Sequence, residues 1–161
     1  MMVVASDTMF GKQYSLLRCS KRDVNKHYAV VRELVKDVDK TAFKKRMYAA
    51  VEDNTAYKLK GIDCFLYYIK IGSRTGEGVC LYCKNNPIGL LMLFKMVFTE
   101  FDKDTVKLKI QPHSQENMLE YKSLVVKSGI RLWHLYGNPL TIRIDMITNK
   151  FRKLYERYTK G

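Results

Sequence analysis

From Tyr14 onward, the chain switches between two hydrophobic periods. Tyr14-Ser-Leu-Leu-Arg-Cys19 reads as a first strand, preceded by a loose leader over 1–13. Ser20-Lys-Arg-Asp23 has the form of a capping box, a short polar cap followed three residues later by an acid. Val24, Tyr28, Val31, Val35 and Val38 then recur at helical spacing and predict one inward face, with His27 at its boundary. A second helix is expected from about Lys40 to Val51, with Phe43, Met47, Ala50 and Val51 inward and Lys44, Lys45 and Arg46 turned to water.

After Ile62 the pattern becomes strand-like. Cys64 to Ile71 is aromatic and β-branched, and Gly72-Ser-Arg-Thr-Gly-Glu-Gly78 is expected as a flexible connection. That segment lacks the Lys-Ser/Thr ending of a P-loop. Val79 to Lys84 predicts a short strand, Asn85-Asn-Pro87 a turn, and Ile88 to Phe98 a strand buried on both faces. Thr105 to Ile110 alternates cleanly. Gln115 to Tyr136 is mainly helical in pattern, with Gly129 as a bend or break, and Gly137-Asn-Pro139 stops it. Leu140-Thr-Ile-Arg-Ile-Asp145 alternates again. In Lys150 to Tyr158, Phe151, Leu154, Tyr155 and Tyr158 line one helical face, with Thr148 or Asn149 placed as cap. The sum is an α+β layout, a central sheet with helices packed on it, in a single domain over 14–161.

Composition supports a packed domain. The chain has 161 residues, 47% hydrophobic and 12% aromatic, which argues against disorder. No apolar run approaches the roughly 18 residues of a membrane span, so no membrane partner is expected. The start lacks a basic n-region, and the expected setting is intracellular and cytoplasmic. Cys80 and Cys83 form a C-x-x-C, but Cys19 and Cys64 supply no second close pair for zinc. Residues i and i+3 of a strand also point to opposite faces, so reduced and mostly buried thiols are expected. The net charge of +13, from 29 Lys+Arg against 16 Asp+Glu, draws the chain towards polyanions. Lys150, Arg152, Lys153, Arg157 and Lys160, interleaved with Tyr155 and Tyr158, suit phosphate contacts and base stacking.

Strand Leu140–Asp145, then Asn149, then a helix carrying Leu154-Tyr155-Glu156 resembles the second half of the acyl-CoA-binding region of GNAT-superfamily N-acetyltransferases. The element order from Tyr14 to Tyr158 resembles that fold as well. The resemblance implies a mixed, mainly antiparallel sheet with helices on both faces, lacking the two final strands because the chain stops at Gly161. In the family, the strand before the cofactor loop and the strand after the next helix diverge, and CoA enters the gap. Thr105–Ile110 and Leu140–Asp145 are the expected pair here. The resemblance makes Tyr155 the acid that protonates the departing thiolate, since a phenol of pKa about 10 can donate at neutral pH. It makes Asn149 a holder of the pantetheine, and Ile110, Gln111, Ser114, Gln115 and Asn117 the backbone that meets the cofactor. A core aromatic and a helix cap are the alternatives for Tyr155 and Asn149. Glu100 and Asp102 are candidates for the base, or else turn and surface residues.

The chain departs from the family at Gln111-Pro-His-Ser-Gln-Glu-Asn117, which has no glycine where the family has Gln/Arg-x-x-Gly-x-Gly/Ala. Two functions therefore stay open. One is an acyl-CoA-dependent N-acetyltransferase with a degraded pyrophosphate loop and acetyl-CoA as cofactor. The other is a non-catalytic GNAT-like structural or nucleic-acid-binding protein, phage-encoded or carried in a virion, whose partner is a polyanion or a larger protein assembly.

Overall fold

A computed structural model of the chain describes residues 3–9, 11–32, 39–83, 86–102, 104–105, 107–110, 133–136 and 141–145. The capping box at Ser20 forms: the Asp23 carboxylate accepts from the Ser20 N–H at 2.8 Å and from its hydroxyl at 3.2 Å. It starts helix α1 (Lys21–Val31), which buries Val24 and Val31 as the periodicity predicts. Asp39 caps α2 (Lys40–Glu52), accepting from the Thr41 and Ala42 amides, and α2 turns Phe43, Met47 and Ala50 inward. Val35 and Val38 lie outside the described residues.

The strands are β1 (Val3–Met9), β2 (Lys12–Arg18), β3 (Ala56–Leu59), β4 (Cys64–Lys70), β5 (Thr75–Cys83), β6 (Lys107–Ile110), β7 (Trp133–Tyr136) and β8 (Thr141–Asp145). They form one sheet in the order β1-β2-β3-β4-β5-β6-β8-β7. Every neighbouring pair is antiparallel except β5 and β6, which run parallel. The α+β class expected from the sequence is what the chain adopts. Period-two alternation in β4 divides the core: Phe65 and Tyr67 face α1 and α2, whereas Cys64, Leu66 and Tyr68 face the opposite layer.

That opposite layer corrects the sequence reading. Ile88 to Phe98 is no strand: helix α3 (Pro87–Met96) continues into a π-helical turn (Val97–Phe101). Asn86 accepts the Gly89 N–H at 2.8 Å, and Pro87 takes the first turn, where its missing donor costs nothing. Leu and Met are unbranched at Cβ and lose little rotamer freedom in a helix. Leu90, Leu91, Met92, Leu93, Phe94 and Met96 are all buried, so the helix is apolar all round and shows no face. Gly89 lets α3 approach the sheet, because a Cβ there would lie 2.8 Å from the Cys64 sulfur.

Other expectations shift too. The leader carries β1, which is paired with β2 along its length. Gly76 and Gly78 belong to β5 rather than to a loop. β3 was not foreseen, and residues 133–136, expected as helix, form β7. Strands β7 and β8 pair in antiparallel register beyond β6. The remainder of the helix expected at 115–136 and the terminal helix at 150–158 lie outside the described residues.

Candidate functional site

The sheet changes character at β5. On one side β5 pairs with β4 from Gly76 to Cys83. On the other it pairs with β6 only from Thr75 to Glu77, opposite Lys107 to Lys109. Past Glu77, among the described residues, no strand bonds to β5 on the side away from β4. A bulge sits at the same point: Tyr68 opposes Gly78 and Tyr67 opposes Cys80, leaving Val79 as the extra residue. A bulge bends its strand and increases local twist, and this one begins one residue past the last pair with β6. Among the described residues this leaves the edge of β5 at Gly78–Leu81 open beside the end of β6, a slot whose main-chain N–H and C=O groups form a template for an extended ligand.

The base of the slot is tightly built. A Cβ on Gly76 would lie 3.1 Å from both the Leu108 and the Tyr68 side chains, so glycine lets β6 close against β4's aromatic here. Asp102, just after the π-helical turn, is buried and accepts from the Tyr68 hydroxyl at 2.6 Å, the Thr105 hydroxyl at 2.7 Å and the Thr105 N–H at 3.2 Å. The Lys70 ammonium lies 3.2 Å away. Burial opposes ionisation of Asp102, but bonds from Tyr68 and Thr105 and the Lys70 charge outweigh it and hold the carboxyl below its usual range. Burial, then the bond to Asp102, raises the Tyr68 phenol. This saturated group fastens the entry of β6 to β4; it has no lone pair set aside for a substrate proton. Glu100 is exposed and paired with Lys95 at 2.8 Å.

The far end of β5 leads straight into α3. Its N-terminus carries the positive end of the helix dipole, although Asn86 already occupies the Gly89 amide. At the parting point, Glu77 projects its carboxylate to Arg46 of α2 at 2.9 Å, with both side chains 45% exposed. A pair that exposed contributes little to stability.

The expected diverging pair does not diverge. Lys107 to Ile110 and Asp145 to Ile142 are zipped antiparallel along all of β6, so no gap opens between them. Ile110 is the last residue of β6 and pairs with Ile142; Gln111, Ser114, Gln115, Asn117, Asn149 and Tyr155 lie outside the described residues. Of the groups at the observed slot, Asp102 was a candidate for the base, whereas Gly76, Tyr68 and Asn86 were not among the candidates. Asn86-Pro87 was the legible signal, a cap followed by a first-turn proline.

All four cysteines are buried, and none is in a disulfide among the described residues. Cys83 lies in the core layer under α3 and Cys80 in the layer under α1 and α2, the divergence predicted for i and i+3. Burial raises the Cys19 thiol to about 12 and raises Cys80 as well, so neither is a thiolate at neutral pH. Among the described residues no three His, Cys, Asp or Glu side chains gather as a metal site. No described helix is long and apolar enough to cross a membrane. Lys21, Arg22, Lys26, Arg32, Lys40, Lys45 and Arg46 stand exposed on α1 and α2, so part of the positive charge is concentrated on one layer.

On that same layer His27 is buried at the foot of α1. It shares a 2.7 Å hydrogen bond with the Tyr67 hydroxyl and stacks on Phe65 at 3.9 Å between ring centroids. Burial pushes its pKa down to about 4, so the ring is neutral at physiological pH. Beside it, Lys58 and Asp23 pair at 2.7 Å.

No family model and no curated protein matches the chain.

Proposed function

We propose that the chain is a GNAT-like protein that receives acyl-CoA between β5 and β6, with transfer of the acyl group to an amine as its reaction. The observation that carries this reading is a parallel pair within an otherwise antiparallel sheet, limited to Thr75–Glu77, past which, among the described residues, no strand bonds to Gly78–Leu81 on the side away from β4. In the family, the diverging strands are those before the cofactor loop and after the next helix. By that rule they are β5 and β6, which flank α3. The pyrophosphate then belongs beside Asn86-Pro-Ile-Gly89 at the start of α3 instead of Ile110–Asn117, with α3 supplying its N-terminal dipole. The pantetheine amides would pair with Gly78–Leu81. Glu77 is the carboxylate nearest the parting point and the group to accept the amine's proton. Asn149 and Tyr155 come after β8 in the sequence and are not used in this reading.

A second reading, a non-catalytic scaffold for nucleic acid, is favoured by the cationic layer of α1 and α2. One calorimetric series separates the two. Acetyl-CoA is expected to give a saturable one-to-one heat, whereas duplex DNA gives none that survives physiological salt. Absence of heat at millimolar acetyl-CoA, with DNA binding that weakens steeply as salt rises, selects the scaffold instead.

A further inference from the structure

A cleft of about 340 Å³ opens at the other side of the sheet, between α1 and the β3–β4 turn. It is separate from the slot, which lies between β5 and β6. Gly61, at φ +71°, allows the tight turn that carries Lys60, Ile62 and Asp63 at the cleft's rim. Leu17, Ile62 and Phe65 give the cleft an apolar wall, and Lys26, Lys58 and Lys60 give it a cationic one. These lysines are not equivalent. The Lys58 charge is matched by Asp23 at 2.7 Å, and both side chains are nearly buried. Lys26 and Lys60 are exposed and, among the described residues, have no acidic partner within ion-pair distance. Asp63 is the one acid on the lining, which leaves a cationic excess there.

We infer that this cleft is a binding site for a small phosphate ester, with its organic group on the Leu17, Ile62 and Phe65 wall and its phosphate between Lys26 and Lys60. The volume sits at the small end of ligand pockets, roughly 300–1,000 Å³, and so suits a single ring with one charged group. An apolar wall facing two ammonium groups discriminates against both a bare ion and a neutral ring. The Lys58–Asp23 pair keeps the floor rigid and leaves the rim lysines to the ligand. The site does not rest on the acyl-CoA reading.

Titration calorimetry with phenyl phosphate tests it, since that probe carries neither adenine nor pantetheine. Phenyl phosphate is expected to bind about tenfold more tightly than inorganic phosphate, the effect of burying part of a ring. Phenol is expected to give no heat. Lys26→Glu with Lys60→Glu is expected to weaken phenyl phosphate by at least about tenfold, by replacing attraction with repulsion at both rim positions. Lys44→Glu with Lys45→Glu, a matched charge change on α2, is expected to leave binding unchanged, as is saturating acetyl-CoA. All the substituted lysines are at the surface, and circular dichroism verifies that each variant folds. No heat with phenyl phosphate at millimolar concentration overturns the site. Equal losses in the two double variants overturn it in favour of general surface charge. Displacement by acetyl-CoA overturns it in favour of the β5–β6 slot.

Discussion

Asp102→Ala is expected to destabilise the protein by about 3 kcal/mol and to loosen β6 from the base of the slot. The Tyr68 side chain is wholly buried, and its hydroxyl has the Asp102 carboxylate as a partner at 2.6 Å. Removing the carboxylate strands that donor and the Thr105 hydroxyl in the core, and each unsatisfied group costs about 1–3 kcal/mol. Lys70 softens the loss, because its half-exposed ammonium can return to water. Asp102→Asn keeps the volume and one acceptor, so a loss of only about 1–2 kcal/mol is expected. Urea denaturation of the two variants checks the order. A change below about 0.5 kcal/mol for the alanine variant would place it among ordinary surface substitutions and remove Asp102 from its role as fastener.

Acid is expected to weaken the fold well before the carboxylates titrate, through His27. Its folded-state pKa is depressed to about 4 from an ordinary value of 6.5, chiefly by burial. The unfolded chain therefore binds a proton at a pH where the folded chain refuses it. The associated stability is fully present above about 6.5 and is lost as pH falls towards 4, a decline on the order of 2–3 kcal/mol. Asp23 and Asp102 are held below the usual carboxyl range despite burial, by hydrogen bonds and nearby ammonium groups, and their contributions are lost only at lower pH. Urea midpoints measured from pH 7 to pH 4 should fall across the His27 window. His27→Gln, which keeps a polar partner for Tyr67 but cannot take up the proton, should flatten that fall. An unchanged slope in the variant would assign the acid sensitivity elsewhere.

The helical layer was legible because α1 and α2 are amphipathic. Val24, Phe43, Met47 and Ala50 recur at helical spacing among cations that need water, and only one orientation satisfies both. α3 was not legible by the same test. With Leu90 to Phe94 buried on every side, it has no period to read, and a strand buried on both faces presents the same run. Length and the Asn86-Pro87 cap were the arbiters, and they point to helix. β3 is four residues long and leaves little alternation to detect. The slot was out of reach for a different reason. It depends on β5 meeting β6 in parallel over a short register, and pairing between distant segments is set by the closed tertiary structure. Gly76 looked like a loop glycine; its contribution is the close approach of Leu108 and Tyr68, which exists only once β4, β5 and β6 are assembled. Net charge was plain from composition, but its concentration on α1 and α2 needed the helices to be placed.

The slot itself is tested most directly by amide hydrogen exchange of β5. In the free protein, amides of Gly78–Leu81 that point away from β4 should exchange quickly, while those paired to β4 stay protected. Acetyl-CoA should slow the first set and leave the hairpin of β1 and β2 unchanged. Uniform protection of β5 without ligand, or no change at millimolar acetyl-CoA, would contradict an open slot that receives acyl-CoA.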